Sequence, residues 1–135
     1  MKVPFDRGLA GHSDADVLTH AVIDAILGAL AQGDIGRHFP DTDARYENVA
    51  SLSLLRQVLD SFVKPAGWQV VNVDSTVLAE EPRLAPHVTS VRTSLAHALG
   101  IPSERVSVKA GTHEGLDAVG KHEAISAHAV ALLMR

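Results

Sequence analysis

Cysteine is absent from this sequence of 135 residues. Disulfides and thiolate metal sites are thereby excluded, and any transition-metal site must be built from histidine and carboxylate. Aromatic residues are scarce, with three Phe, one Tyr and one Trp, and twelve Lys plus Arg stand against sixteen Asp plus Glu for a formal charge of -4. With no basic run and few rings for stacking on bases, nucleic acid is not an expected partner. Missing too is any apolar run near the roughly 18 residues that a membrane span requires, and no cationic stretch precedes an apolar signal-peptide core. No membrane contact is expected, and the cytoplasm is the default compartment. What the chain does contain is 46% hydrophobic residues, enough for a core, in a length that suits one domain over residues 1–135.

The chemistry-bearing residues gather in one stretch. His12-Ser13-Asp14-Ala15-Asp16-Val17-Leu18-Thr19-His20 leads into an apolar run, then Gly33-Asp34-Ile35-Gly36 and Phe39-Pro40-Asp41-Thr42-Asp43. Ser13 or Asp14 is a suitable N-cap, and the pattern predicts a helix from Asp16 to about Ala31. Leu18, Val22, Ala25, Ile26 and Ala29 have the spacing of a buried stripe, with Asp16, Thr19, His20 and Asp24 on the opposite side. His20 then has a carboxylate one turn away in either direction, the setting in which a neutral imidazole ligates a metal. Such a stripe is equally the ordinary wet face of an amphipathic helix. Asp34, Asp41 and Asp43 in a glycine- and proline-bearing turn suit a divalent cation and, through it, phosphate oxygens; they suit Asx-turn capping as well.

Further along, Val3-Pro4-Phe5 reads as an edge strand and residues 44–48 as polar loop. A helix follows from about Ala50 to Lys64, with Leu52, Leu55, Val58, Leu59 and Phe62 buried and Pro65-Ala66-Gly67 as its stop. Trp68 to Ala79 alternates Val71, Val73 and Val77 with Asn72, Asp74 and Thr76, which predicts a strand. Another helix runs from about Pro86 to Leu99 and stops at Gly100; a short strand spans Arg105 to Ala110. The segment from Glu123 to Met134 suits either helix or buried strand. Alternating elements of this kind make a mixed α/β (α+β type) fold in which helices cover one face of a sheet.

The stretch from Gly8 to Ala25, with Gly33-Asp34-Ile35-Gly36-Arg37-His38-Phe39-Pro40-Asp41-Thr42-Asp43, resembles the 2-C-methyl-D-erythritol 2,4-cyclodiphosphate synthase family in both residue identity and spacing. Ala79-Glu80-Glu81-Pro82-Arg83-Leu84-Ala85 is similar to that family's cytidine-binding loop, and Lys109-Ala110-Gly111-Thr112-His113-Glu114 to its diphosphate and metal segment. The resemblance implies a homotrimer with a mixed sheet, and a strand for the ambiguous last segment. It implies cyclisation of 4-diphosphocytidyl-2-C-methyl-D-erythritol 2-phosphate with release of CMP, a small-molecule diphosphate substrate, and a location in cytoplasm or, in a plant or alga, plastid.

By the same resemblance, His12 and Thr112 serve catalysis. His12 and Ser13 hold phosphate and erythritol groups, Asp34, Ile35 and Gly36 the erythritol hydroxyls, and Phe39, Pro40, Asp41, Thr42 and Asp43 close over the substrate. Ala79, Pro82, Arg83, Leu84 and Ala85 contact the nucleotide, with Arg83 near the phosphates. Thr112, Glu114 and Lys121 face the diphosphate, Lys121 replacing an arginine with loss of bidentate geometry. His20 is the expected ligand of Zn²⁺ or another divalent transition metal, and Glu114 of Mg²⁺ or Mn²⁺. The family places an Asp-x-His motif on a strand ahead of this stretch, supplying two more zinc ligands, and the sequence carries no such motif before His12. Weak zinc binding and slow cyclisation are expected on that ground. The alternatives are a non-catalytic trimer binding nucleotides or diphosphates without zinc, and a general metal phosphohydrolase.

Overall fold

The computed structural model describes residues 12–40, 50–78, 85–111 and 126–135. The expected strand at Val3-Pro4-Phe5 and the loop at 44–48 lie outside them. The first element, α1, is His12–Ala29. It starts earlier than the periodicity indicates, so Ser13 and Asp14 belong to its first turn instead of capping it. Its core side is Ala15, Leu18, Thr19, Val22, Ile23, Ile26 and Leu27, all fully buried. Two expectations are corrected by this. Thr19 lies in the core, where its hydroxyl donates to the Ala15 carbonyl at 2.9 Å and needs no water, and Ala29 is exposed. The buried stripe is rotated toward Ile23 and Leu27 because larger side chains there displace the alanines from the interface.

A four-residue helix, α2 (Ile35–His38), follows at once. Then α3 (Ser51–Val58) continues as one π turn, Leu59–Val63. The wider turn moves the buried set at its end, so that Val63 is buried while Phe62 is only half-buried; within α3, Leu54 is buried and Leu52 half-buried.

Strand β1 (Gln69–Leu78) comes next, and a short 3-10 turn, Ala85–His87, introduces α4 (Val88–Leu99). Strands β2 (Val106–Gly111) and β3 (Ser126–Met134) complete the described elements, and the ambiguous last segment is therefore strand. The sheet order is β2-β1-β3, with β1 parallel to β2 and antiparallel to β3. The parallel pair needs a crossover, which α4 supplies. A register shift between Val70 and Asn72 explains why Val70 is buried in place of the expected Val71.

One sheet face, bearing Val73, Ser75, Val77, Val106 and Val108, is buried beneath the helices. On β3 the inward residues are Ala127, Ala129, Ala131 and Leu133, the three alanines small enough for α1 to lie close against them. The other face carries Asp74, Lys109 and His128 and, on β3, the exposed Val130, Leu132 and Met134. Helices on one side of a mixed sheet are the architecture the alternation of elements predicts.

Candidate active site

Residues four apart in sequence stack along one side of a helix, so Asp16, His20 and Asp24 form a row on α1. At 1.5 Å per residue the row spans about 12 Å from Asp16 to Asp24. The buried residues opposite lock its orientation. His20 and Asp16 are both roughly half-exposed, and the imidazole Nε2 lies 3.9 Å from the Asp16 carboxylate, beyond hydrogen-bond distance.

The second carboxylate expected beside His20 is committed elsewhere. Asp24 Oδ1 accepts a hydrogen bond from the Ile35 backbone N–H at 2.7 Å. This is the contact that brings the Asp34-Ile35-Gly36 segment onto the end of the α1 row. The free amides at the start of a helix attract carboxylate oxygens.

The turn itself is closely determined. Gly33 has φ +86°, a conformation that calls for glycine, and an added Cβ would also displace the flexible Arg37 side chain 2.9 Å away. Asp34 caps α2, accepting from the Arg37 N–H at 2.9 Å. His38 Nε2 donates to the Gln32 carbonyl, and its ring lies 4.6 Å from that of Phe62, so His38 is engaged in holding the turn. Phe39 and Pro40 are half-buried, with Phe39 packed against the core.

Gly36 differs from Gly33. Its backbone is not left-handed, and the nearest atom to an added Cβ is an Asp34 carboxylate oxygen at an ordinary 3.6 Å. Nothing within the described chain requires glycine at that position. A glycine without an internal reason suits a place where backbone is approached by a ligand.

Of the other expected site residues, Ala85 opens the 3-10 turn before α4. Asp41, Thr42, Asp43, Ala79, Pro82, Arg83, Leu84, Thr112, Glu114 and Lys121 lie outside the described residues. The described ends of β1 and β2, Leu78 and Gly111, lie side by side in the parallel pair.

Among the described residues no group of three or more His, Cys, Asp or Glu could hold a metal ion. His20 is a suitable single donor, and it and its described neighbours do not by themselves make a zinc site. A cavity of about 510 Å³ elsewhere is floored by Leu59, Val63, Trp68, Leu99 and Ile101, and none of the expected site residues lines it. At its rim Lys64 is paired with Asp60 at 2.9 Å.

The fold and site define an α/β protein whose helix-covered mixed sheet presents a carboxylate and imidazole row beside a glycine-bearing turn, a setting for a small polar substrate. The chain matches the YgbB family over residues 1–134 and belongs to it. It is 56% identical, over 98% of its length and 84% of the relative's, to the 2-C-methyl-D-erythritol 2,4-cyclodiphosphate synthase of Syntrophomonas wolfei. Among solved structures, the bifunctional IspDF of Campylobacter jejuni superposes with a TM-score of 0.80 at 37% identity, covering 91% of this chain and 33% of that one. A 2C-methyl-D-erythritol-2,4-cyclodiphosphate synthase in a CDP-bound form superposes with a TM-score of 0.77 at 34% identity, over 86% of this chain and 74% of that one. The activity is accordingly that of a cyclodiphosphate synthase, a lyase of isoprenoid biosynthesis by the methylerythritol phosphate pathway. No helix among the described residues is long and apolar enough to cross a membrane.

Proposed function

We propose that the cyclisation takes place over the exposed face of α1, in a site shared between subunits of a homotrimer, residues 1–135 of each forming a single domain. The observation that supports this most directly is the Asp34–Gly36 turn, tied to Asp24 at the end of the His20 row and carrying a glycine that the fold itself does not require.

The reaction makes few demands on covalent chemistry by the protein. An oxygen of the substrate's 2-phosphate attacks the β-phosphorus, one P–O bond forms, the bond to the oxygen bridging the α- and β-phosphates breaks, and CMP departs with that oxygen. Positioning and charge neutralisation are what such a displacement needs. Asp34, Ile35 and Gly36 bind the erythritol hydroxyls, and His12 and Ser13 the adjoining phosphate. Phe39, Pro40, Asp41, Thr42 and Asp43 cover the substrate. The nucleotide is held by Ala79, Pro82, Arg83, Leu84 and Ala85, and the diphosphate by Thr112, Glu114 and Lys121, these two groups coming from a neighbouring subunit. His20 would be one donor to Zn²⁺ or a similar ion and Glu114 a donor to Mg²⁺ or Mn²⁺, cations that would offset diphosphate charge when bound.

The trimer draws support from the outer sheet face. Val130, Leu132 and Met134 are 70%, 59% and 52% exposed, in alternate positions along a strand that is an edge among the described residues. Three large apolar side chains in line are an unusual load for a solvated strand.

Calorimetry with CDP tests the nucleotide and metal halves together. Affinity is expected to rise about tenfold or more on adding Mg²⁺ or Mn²⁺, and this gain to disappear in Glu114→Gln with the fold intact. Equal CDP affinity with and without metal in the unmodified protein would remove Glu114 from the site.

A further inference from the structure

Resting on the reading that Asp34–Gly36 hold the erythritol end of the substrate, we propose that Asp24 is a positioning residue for the cyclisation: its carboxylate fixes the backbone of that turn through the Ile35 amide. The two carboxylates at the start of α2 divide its free amides between them, Asp34 taking the Arg37 N–H and Asp24 the Ile35 N–H. Their effects differ. Asp34 caps its own helix and connects the turn only to itself, whereas Asp24 reaches across eleven residues from α1 and connects the turn to the body of the protein. Downstream, the turn is secured by the His38 bond to Gln32, the His38 ring on Phe62 and the packing of Phe39. Upstream, the half-buried Ile35 side chain settles where the turn lies but leaves its peptide planes free to rock; the directional bond from Asp24 fixes which way they face.

Asp24 is exposed, and an exposed amide has water for a partner, so satisfying Ile35 alone does not call for a carboxylate. An anionic substrate adds a further constraint, because two free carboxylates at its binding turn would repel it. Engaging both on backbone N–H groups directs part of their charge onto donors and preserves the turn's shape.

The test uses Asp24→Ala, Asp24→Asn and Asp34→Ala in the intact protein, with steady-state kinetics, CDP calorimetry and amide hydrogen exchange. Asp24→Ala should speed exchange at Ile35 about tenfold and raise KM for the substrate about tenfold or more, with kcat changed less. Asp24→Asn, whose amide oxygen still accepts, should recover most of both. Affinity for CDP, which lacks the erythritol, should stay within about twofold of wild type in all three. Unchanged Ile35 exchange in Asp24→Ala, an Asn variant as impaired as the Ala variant, or a parallel loss of CDP affinity would each overturn the role of Asp24. An unchanged KM in Asp34→Ala would instead overturn the underlying assignment of the turn, and the role of Asp24 with it.

Discussion

Ala31 should be replaceable by glycine with a gain in stability. Three helical segments end in the same hydrogen-bond pattern. At the end of α1, Gln32 N–H donates to the Leu27 carbonyl and Ala31 N–H to Gly28; after the π turn, Trp68 donates to Val63 and Gly67 to Lys64; at the end of α4, Ile101 donates to Ala96 and Gly100 to His97. In each, one residue must be left-handed, and the φ values are +56° at Ala31, +79° at Gly67 and +72° at Gly100. Only the first of these is not glycine.

A Cβ in that conformation costs about 1–2 kcal/mol, and glycine returns about 0.4–1 kcal/mol of this through its freer unfolded chain. The net gain for Ala31→Gly is about 0.5–1 kcal/mol, or roughly 2–4 °C in Tm for a chain of this size. Urea unfolding at fixed protein concentration is the assay, because the stability of an oligomer depends on concentration. The midpoint should rise with an unchanged m-value, and Gly100→Ala should lower it by a similar amount. A lower midpoint for Ala31→Gly would refute the strain, and a loss in that variant alongside no loss in Gly100→Ala would refute the shared motif.

Leu132→Asp should dissociate the proposed trimer: burying the exposed part of one Leu contributes about 1–2 kcal/mol per subunit, and the carboxylate adds a desolvation cost. Sedimentation equilibrium should show the variant shifted toward monomer, and a wild-type protein that is monomeric throughout would remove the shared site. On the same sheet face, Lys109 Nζ lies 3.0 Å from the Asp74 carboxylate, and this hydrogen bond, with help from Ser107, holds the Asp74 carboxyl below its ordinary value. A folded-state value below the unfolded one stabilises the fold above the unfolded value near 3.8 and loses that contribution as pH falls through the folded value. Lys109→Met should raise the Asp74 midpoint in a carboxyl NMR titration, and an unmoved midpoint would show that the ion pair is not formed in solution. Gly33→Ala should destabilise by about 0.5–1 kcal/mol, read as a fall in the urea midpoint, since the left-handed strain it adds exceeds what the stiffer unfolded chain returns.

The architecture was legible where a single periodicity applied. Leu55, Val58 and Leu59, or Val73 and Val77, keep one spacing from sequence to structure. Misreadings occur where geometry interrupts that spacing: the π turn moves burial from Phe62 toward Val63, and the bulge in β1 moves it from Val71 to Val70. Thr19 escaped notice because a hydroxyl that bonds back to its own helix is locally satisfied, which hydropathy alone does not reveal. At the site, His20 and Asp16 were legible as neighbours on one helix face. The tie between Asp24 and Ile35 was not, since nothing in the spacing says which way the chain turns after Ala31.

That turn connects the helix to its chemistry. The side of α1 bearing Leu18, Val22 and Ile26 is buried, and the helix packs against β1 and β3, so the direction in which His20 and Asp24 point is set by residues they never touch. A small change on the inner side, such as Ala129→Leu on β3, would press on α1 and swing the row relative to the sheet, whereas the Asp34–Gly36 turn would follow only so far as its bond to Asp24 holds. The small side chains along the inner face of β3 are thus part of how the site keeps its shape. The row and the turn move together because a carboxylate on one accepts from the backbone of the other.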